Sequence, residues 1–207
     1  MAEQAGESSG VRDESAVGLV LAAGAGRRLG LGAKALLRSG GVTLVQRAVG
    51  ALRDGGCAPV LVVVGAQADE VTAQAVAAGG TPVRNEDWAS GLASSFRAGV
   101  AAVPDGTERV VVLLVDQPGV SAGVVARLLA EHRPGRITAA RYDEPGARHP
   151  MVFDFALARE AAALAEADRG AREFLRRRPD LLDLVDCTGL GSAADVDTPE
   201  DLHLLEP

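Results

Sequence analysis

Glycine and positive charge meet in "LVLAAGAGRRLGLGAKALL", Leu19 to Leu37. An apolar run ends at Gly24, Gly26 and Gly30, and Arg27, Arg28 and Lys34 lie within or just after the loop. Glycines let a backbone approach a ligand closely. A nucleoside triphosphate carries roughly four negative charges and is held best by backbone N–H groups together with Arg and Lys. Two other phosphate loops fit less well. The spacing G-x-G-x-x-x-G is one residue off the dinucleotide fingerprint, which also needs an acid about 20 residues on for the ribose. Here the second strand ends at Gly65 and the next acid, Asp69, comes well beyond that distance. No Gly-Lys-Ser/Thr follows, so the loop is not of the Walker type. On these residues alone a solvated loop with ordinary charges stays open, and Arg27 is read as facing solvent.

Two further sites carry carboxylates. Asp116 ends the apolar run "RVVVLLVD" and precedes Gln117-Pro118-Gly119. A hard carboxylate there suits Mg²⁺, which uses one or two protein carboxylates plus phosphate oxygens and water. It also suits a plain turn before proline. Asp195 and Asp197 are two apart, so in extended chain both point to one face. They also precede a helix start, with Thr198 as N-cap, Pro199 at the first position, and Glu200 and Asp201 in the first turn.

The elements that must hold these residues alternate. Strands are expected at Ala16–Ala23, Pro59–Gly65, Thr81–Asn85, Arg109–Asp116, Ile137–Tyr142, Pro150–Phe153 and Leu181–Cys187. Helices are expected at Val42–Asp54, Gln67–Ala78, Ser90–Val103 with Ser90 as N-cap, Ser121–His132, Phe155–Ala167 and Ala171–Arg178. Short β-branched runs such as "PVLVVVG" read as buried parallel strands. The pattern defines an α/β domain with a mostly parallel sheet, which binds ligands beyond the carboxyl ends of its strands.

Composition narrows the function. The chain has 207 residues, so one domain is expected, with residues 1–15 as a polar, disordered tail and 16–207 folded. Only 3% of residues are aromatic, which leaves no stacking platform for single-stranded nucleic acid. A net charge of -7 argues against nucleic acid and membrane surfaces as partners. Cys57 and Cys187 form no metal motif and read as reduced residues of a cytoplasmic protein.

With those residues in view, the chain resembles the nucleotidyltransferases that act on the molybdenum cofactor. "LAAGAGRRLGLGAKALL" is similar to their L-A-A-G-x-G-x-R-x-G…K-x-L-L signature. "NEDWASGLASSFRAG", "VVLLVDQPGV", "HPMVF", "DRGAREFL" and "DVDTPEDL" resemble later segments in the same order, from about Val17 to Leu204. Ala22-Ala23-Gly24 resembles the CTP-using branch rather than the guanylyltransferases. Arg148 and Val115 stand where relatives usually have Gly.

The resemblance implies a single Rossmann-like three-layer domain, similar to nucleotide-diphospho-sugar transferases. It implies Mg²⁺-dependent transfer of CMP from CTP to molybdopterin, with release of pyrophosphate. Leu21, Ala22, Ala23, Gly24, Ala25, Gly26, Arg28, Lys34, Asn85, Gly91, Ser95 and Asp116 would contact the nucleotide. Arg28, Lys34 and Asp116 would be catalytic, and Asp116 with Asp197 would hold metal. His149, Pro150 and Arg172 would meet the acceptor. A molybdenum hydroxylase or its maturation chaperone would be a partner. Competing expectations are another phosphorylated acceptor such as a sugar phosphate, a guanylyltransferase, a non-enzymatic carrier, and a nicotinamide dehydrogenase, the last opposed by the missing ribose acid.

Overall fold

The computed structural model describes residues 16–143, 148–166 and 171–206. The expected tail, the centre of the "DEPGARH" loop and the start of "DRGAREFL" lie outside the described residues.

The strands are β1 (Ala16–Leu21), β2 (Arg38–Ser39), β3 (Val42–Thr43), β4 (Val60–Val64), β5 (Thr81–Arg84), β6 (Arg109–Leu114), β7 (Ile137–Arg141), β8 (Met151–Asp154) and β9 (Leu182–Asp186). The helices are α1 (Leu44–Asp54), α2 (Ala68–Ala77), α3 (Leu92–Ala101), α4 (Ala122–Glu131), α5 (Phe155–Leu164) and α6 (Arg172–Arg177). Seven strands form one sheet in the order β5-β4-β1-β6-β8-β7-β9. Its neighbours pair in parallel except at β8, which runs antiparallel to both β6 and β7.

Alternation along the strands builds two cores. Val20, Val62 and Leu113 pack with Leu44, Val49, Val71 and Val124 of α1, α2 and α4. On the other face, Leu19, Val63, Val112 and Phe153 pack with Phe96 of α3, Ala158 of α5 and Phe174 of α6. Both faces of β1 and β4 are covered, so both strands read as unbroken apolar runs. This is the expected three-layer α/β domain.

Three local expectations are corrected. Val42–Thr43 is not helical. It pairs with Arg38–Ser39 in a hairpin whose turn, Gly40 and Gly41, has φ of +59° and +85°, and Thr43 then caps α1 in a reciprocal box with Gln46. Ser90 does not cap α3, because its Oγ donates to the Asp87 carbonyl and carboxylate at 2.8 Å while Gly91 occupies the cap. The closing segment, Pro199–Leu205, is a 3₁₀ rather than an α-helix.

Helix α1 seats on α4 through Gly55, where an added Cβ would meet Val125 Cβ at 2.5 Å and the Ala51 carbonyl at 2.8 Å. Gly55→Ala is expected to cost about 1–3 kcal/mol by overpacking. A urea unfolding curve indistinguishable from wild type would refute this contact as a packing constraint.

Candidate active site

All the chemistry gathers at the carboxyl edge of the parallel strands. From β1 the chain enters the glycine loop. Ala22 is buried and its N–H donates to the Val63 carbonyl at 3.0 Å, so it finishes the ladder. Beyond it, the N–H groups of Gly24, Ala25 and Gly26 donate to no acceptor among the described residues. Gly26 has φ +58°, and a Cβ there would collide with the Gly32 carbonyl oxygen. The loop thus closes on itself, with Gly30 N–H also returning to the Gly26 carbonyl at 3.1 Å.

Gln67, which the sequence reading passed over, locks this closure. It follows β4 in a left-handed conformation at φ 49°. Its Oε1 accepts the Ala33 N–H at 2.7 Å, and its Nε2 donates to Glu70 at 2.8 Å. Nothing in the sequence marks a non-glycine residue for that conformation.

Lys34 then reaches across the edge. Its Nζ donates to Asp116 Oδ2 at 2.8 Å and also bonds Asp197 Oδ1. Burial pulls the ammonium's pKa down, but the Asp116 and Asp197 carboxylates outweigh it and hold Lys34 above its ordinary value. Arg28 is exposed, with its guanidinium 3.9 Å from Asp197. Arg27 is exposed to solvent, as expected.

Two chain segments are zipped together to fix the carboxylates. Val196 N–H donates to the Asp116 carbonyl at 2.9 Å, and Ser192 N–H to the Gly119 carbonyl at 3.1 Å. Arg47 of α1 donates to the Pro118 carbonyl at 2.8 Å. The Asp201 carboxylate accepts the N–H groups of Asp197 and Thr198. Gln117 is buried and donates to Asp195 Oδ1 at 2.9 Å. Burial first, and then the Asp116 charge, push the Asp195 carboxyl above the usual carboxylate range.

Asn85 and Ser95 come together beneath the surface, with the half-buried Gly91 at the head of the same helix. Asn85 donates to Ser94 and Ser95 at 2.9 and 3.1 Å and accepts the Asp87 N–H at 3.0 Å. Its amide is spent on shaping the 87–95 segment, and Gly91 supplies a φ of +114° at the head of α3.

Because β8 runs backwards, its N-terminal end lies at this same edge and delivers Arg148 and His149. They line a separate cleft of about 630 Å³, with Leu21, Val112, Met151, Phe153, Gln117, Arg172 and Asp195 among its walls. Pro150 is buried off the cleft, and its carbonyl accepts from Ala140 N–H at 3.2 Å. Gln117 and Asp195 form the boundary between the cleft and the Lys34 cluster.

The donor set suits a hard cation. Asp116 and Asp197 converge on one ammonium, so both offer carboxylate oxygens to the same small volume, beside unused N–H groups that suit phosphate. A dehydrogenase reading finds no support in its key residue: Asp69 lies in α2 and is paired with Arg84 at 2.9 Å. Among the described residues no helix is long and apolar enough to cross a membrane.

Fold and site together define a nucleotidyltransferase. Residues 18–182 match the model of the MobA-like NTP transferase domain, and the chain belongs to that family. Nicotine blue oxidoreductase of Paenarthrobacter nicotinovorans is 47% identical over 194 residues, spanning 91% of this chain and 95% of the relative. Rv0371c of Mycobacterium tuberculosis superposes with a TM-score of 0.81 at 27% identity, covering 93% of this chain and 97% of that one. A manganese complex of the same protein gives a TM-score of 0.75 at 26% identity, covering 92% and 97%.

Two outcomes test this site. Gln67→Ala frees the Ala33 N–H, and nucleoside triphosphate affinity measured by calorimetry should fall roughly tenfold, about 1.4 kcal/mol; unchanged affinity would remove Gln67 from the positioning of the loop. His149 gives a pH signature, because burial pushes its imidazole down to about 4. In the unfolded chain it titrates near 6.5, so the unfolded state binds the extra proton between those values. Stability is then fully present above pH 6.5 and falls as pH drops toward 4. The His149→Asn variant should lose a slope of up to about 1.4 kcal/mol per pH unit in urea unfolding between pH 6.5 and 5. His132, also lowered by burial, keeps its own share of that slope.

Proposed function

We propose that this chain transfers CMP from CTP to the phosphate of molybdopterin, releasing pyrophosphate with Mg²⁺ as cofactor. The observation that carries the reading is Lys34 bound to both Asp116 and Asp197 beside the unused N–H groups of the glycine loop. Ala23 to Gly26 would cradle the β- and γ-phosphates, with Arg28 closing over them from solvent. Lys34 would offset charge at the α-phosphate. An acceptor phosphate oxygen attacks the α-phosphorus; the new P–O bond forms as the bond to the bridging oxygen breaks, and pyrophosphate leaves. No proton must move, since the acceptor is already ionised. The task is positioning and neutralisation. Asp116 and Asp197 would hold the metal, which when bound supplies charge stabilisation to the phosphates. The mycobacterial relative forms a complex with manganese, which supports a divalent cation as cofactor.

The cleft beside Gln117 and Asp195 would take the acceptor, with His149 and Arg172 in its wall. CTP rather than GTP, and molybdopterin rather than a sugar phosphate, rest on the motif resemblance. Delivery of the product to a molybdenum hydroxylase or its chaperone follows from the same resemblance.

A second reading has its own observation. The relative that is 47% identical is named for an oxidoreductase activity, so a redox reaction is the competing function.

Purified protein with Mg²⁺, molybdopterin and each of CTP, GTP, ATP and UTP separates the two. Pyrophosphate release should be selective for CTP, require molybdopterin, and drop by about 10²–10³-fold in Lys34→Ala and in Asp116→Ala. No release with any nucleotide, together with consumption of NADH or NADPH on added nicotine blue, would replace transfer by the redox reading.

A further inference from the structure

Lys34 is the only lysine in the 207-residue sequence, which otherwise carries its side-chain cations on arginine. The exception falls where Asp116 and Asp197 meet. The two cations differ in a way that matters there. An arginine fork matches one carboxylate and fixes its orientation, whereas an ammonium is a compact point charge on a flexible stem. Of the side chains, it comes nearest to filling the place of a small bound cation.

The seat it fills is one a divalent ion could use. Nζ donates to Asp116 Oδ2 at 2.8 Å and also bonds Asp197 Oδ1, so carboxylates from two distant segments point at one centre. Both are held by the backbone rather than by the lysine alone. Val196 N–H donates to the Asp116 carbonyl at 2.9 Å, and Asp197 N–H donates to the Asp201 carboxylate at 3.0 Å. With the ammonium gone, two negative groups would face one small volume, and a hard dication offsets both where the ammonium offsets one. Arg28, the neighbouring cation, does not share the seat. Its guanidinium stands 3.9 Å from Asp197 and its side chain is 82% exposed.

The lysine stem passes beside the phosphate loop on its way to the carboxylates. A Cβ added at Gly26 would stand 3.2 Å from Lys34 Cγ. The N–H groups of Gly24, Ala25 and Gly26 donate to no acceptor among the described residues. A phosphate held by them lies within the swing of the stem's outer bonds.

We propose that Lys34 is a tethered counter-ion, which keeps the seat between Asp116 and Asp197 until a triphosphate draws it away. In the free protein the ammonium and a divalent cation compete for the same oxygens. Once phosphate oxygens take the ammonium, the two carboxylates are released together. Triphosphate and metal then favour each other by one common factor, carried by a single side chain. This rests on the metal reading above and adds an order to it: the free protein binds the cation poorly, the nucleotide-loaded protein well.

The test measures Mn²⁺ binding without nucleotide, from the spin-resonance signal of the free ion. Lys34→Met keeps most of the stem and removes the charge, and it should bind Mn²⁺ at least about tenfold more tightly than wild type. Arg28→Met removes a nearby charge that does not hold the seat, and screening should keep its effect below about threefold. Adding Asp197→Asn to Lys34→Met should abolish the gain. A second readout needs no variant. With lysine labelled by ¹³C at Cε, the chain gives one such signal, and Mg²⁺ raised to saturation should shift it as the ammonium leaves the carboxylates. Should Lys34→Met fail to fold, that signal carries the test. Equal or weaker Mn²⁺ binding by Lys34→Met, or a Cε signal that saturating Mg²⁺ leaves in place, would overturn the counter-ion role and leave the metal reading standing. Mn²⁺ binding by neither protein would overturn the metal reading and this inference with it.

Discussion

The site depends on one ammonium held between two carboxylates. Lys34 comes from the loop after β1, Asp116 from the end of β6, and Asp197 from the C-terminal segment. Three stretches distant in sequence therefore meet at one charge. Without the lysine, two like charges would face each other across a partly buried edge. Without either carboxylate, the lysine would have less to offset its burial. The pair costs little to hold because it is incompletely desolvated: the lysine side chain is 14% exposed and that of Asp197 is 45%. Such an arrangement is poised rather than locked. A phosphate group arriving at the lysine, or a divalent cation arriving at the carboxylates, exchanges one charged partner for another and strands none.

The surrounding structure serves that meeting point. Gln67 holds the return of the glycine loop, which fixes where Lys34 begins. The zipper between the 116–119 turn and the 192–197 segment fixes where the carboxylates sit. Gln117 belongs to both worlds, since its side chain anchors Asp195 while its unpartnered oxygen stands in the cleft wall. The Lys34 cluster and the cleft are thus joined through a single buried amide, and the Arg47 bond to the Pro118 carbonyl braces the same turn from α1.

Much of this was legible in the sequence, for a physical reason. Buried parallel strands must be continuous apolar runs, so β1, β4 and β6 announced themselves and placed the glycine loop and Asp116 at their ends. The start of the closing turn at Thr198 was readable because a first-turn acid, Asp201, reaches back to the Thr198 N–H. The hairpin at Arg38–Thr43 was not, because two-residue strands carry no period and Val42 and Thr43 fit a helical pattern equally well. Asn85 carried a motif signal, yet its amide turned out to be spent on Ser94, Ser95 and Asp87, which only three-dimensional packing reveals. Gln67, Gln117 and Arg47 act through contacts 34, 78 and 71 residues away, a distance at which spacing says nothing.

The reversed direction of β8 has an evolutionary consequence. The glycine loop and Asp116 hang from parallel strands, whereas Arg148 and His149 arrive on the strand of this sheet that runs the other way. The β7–β8 connection can be rewritten, in length or in residue type, without shifting the register of β1, β4 or β6. The residues that line the cleft can therefore drift while the glycine loop and the carboxylates around Lys34 stay as they are. A scaffold wired like this lets close relatives diverge in what they act on while keeping nearly half of their residues in common.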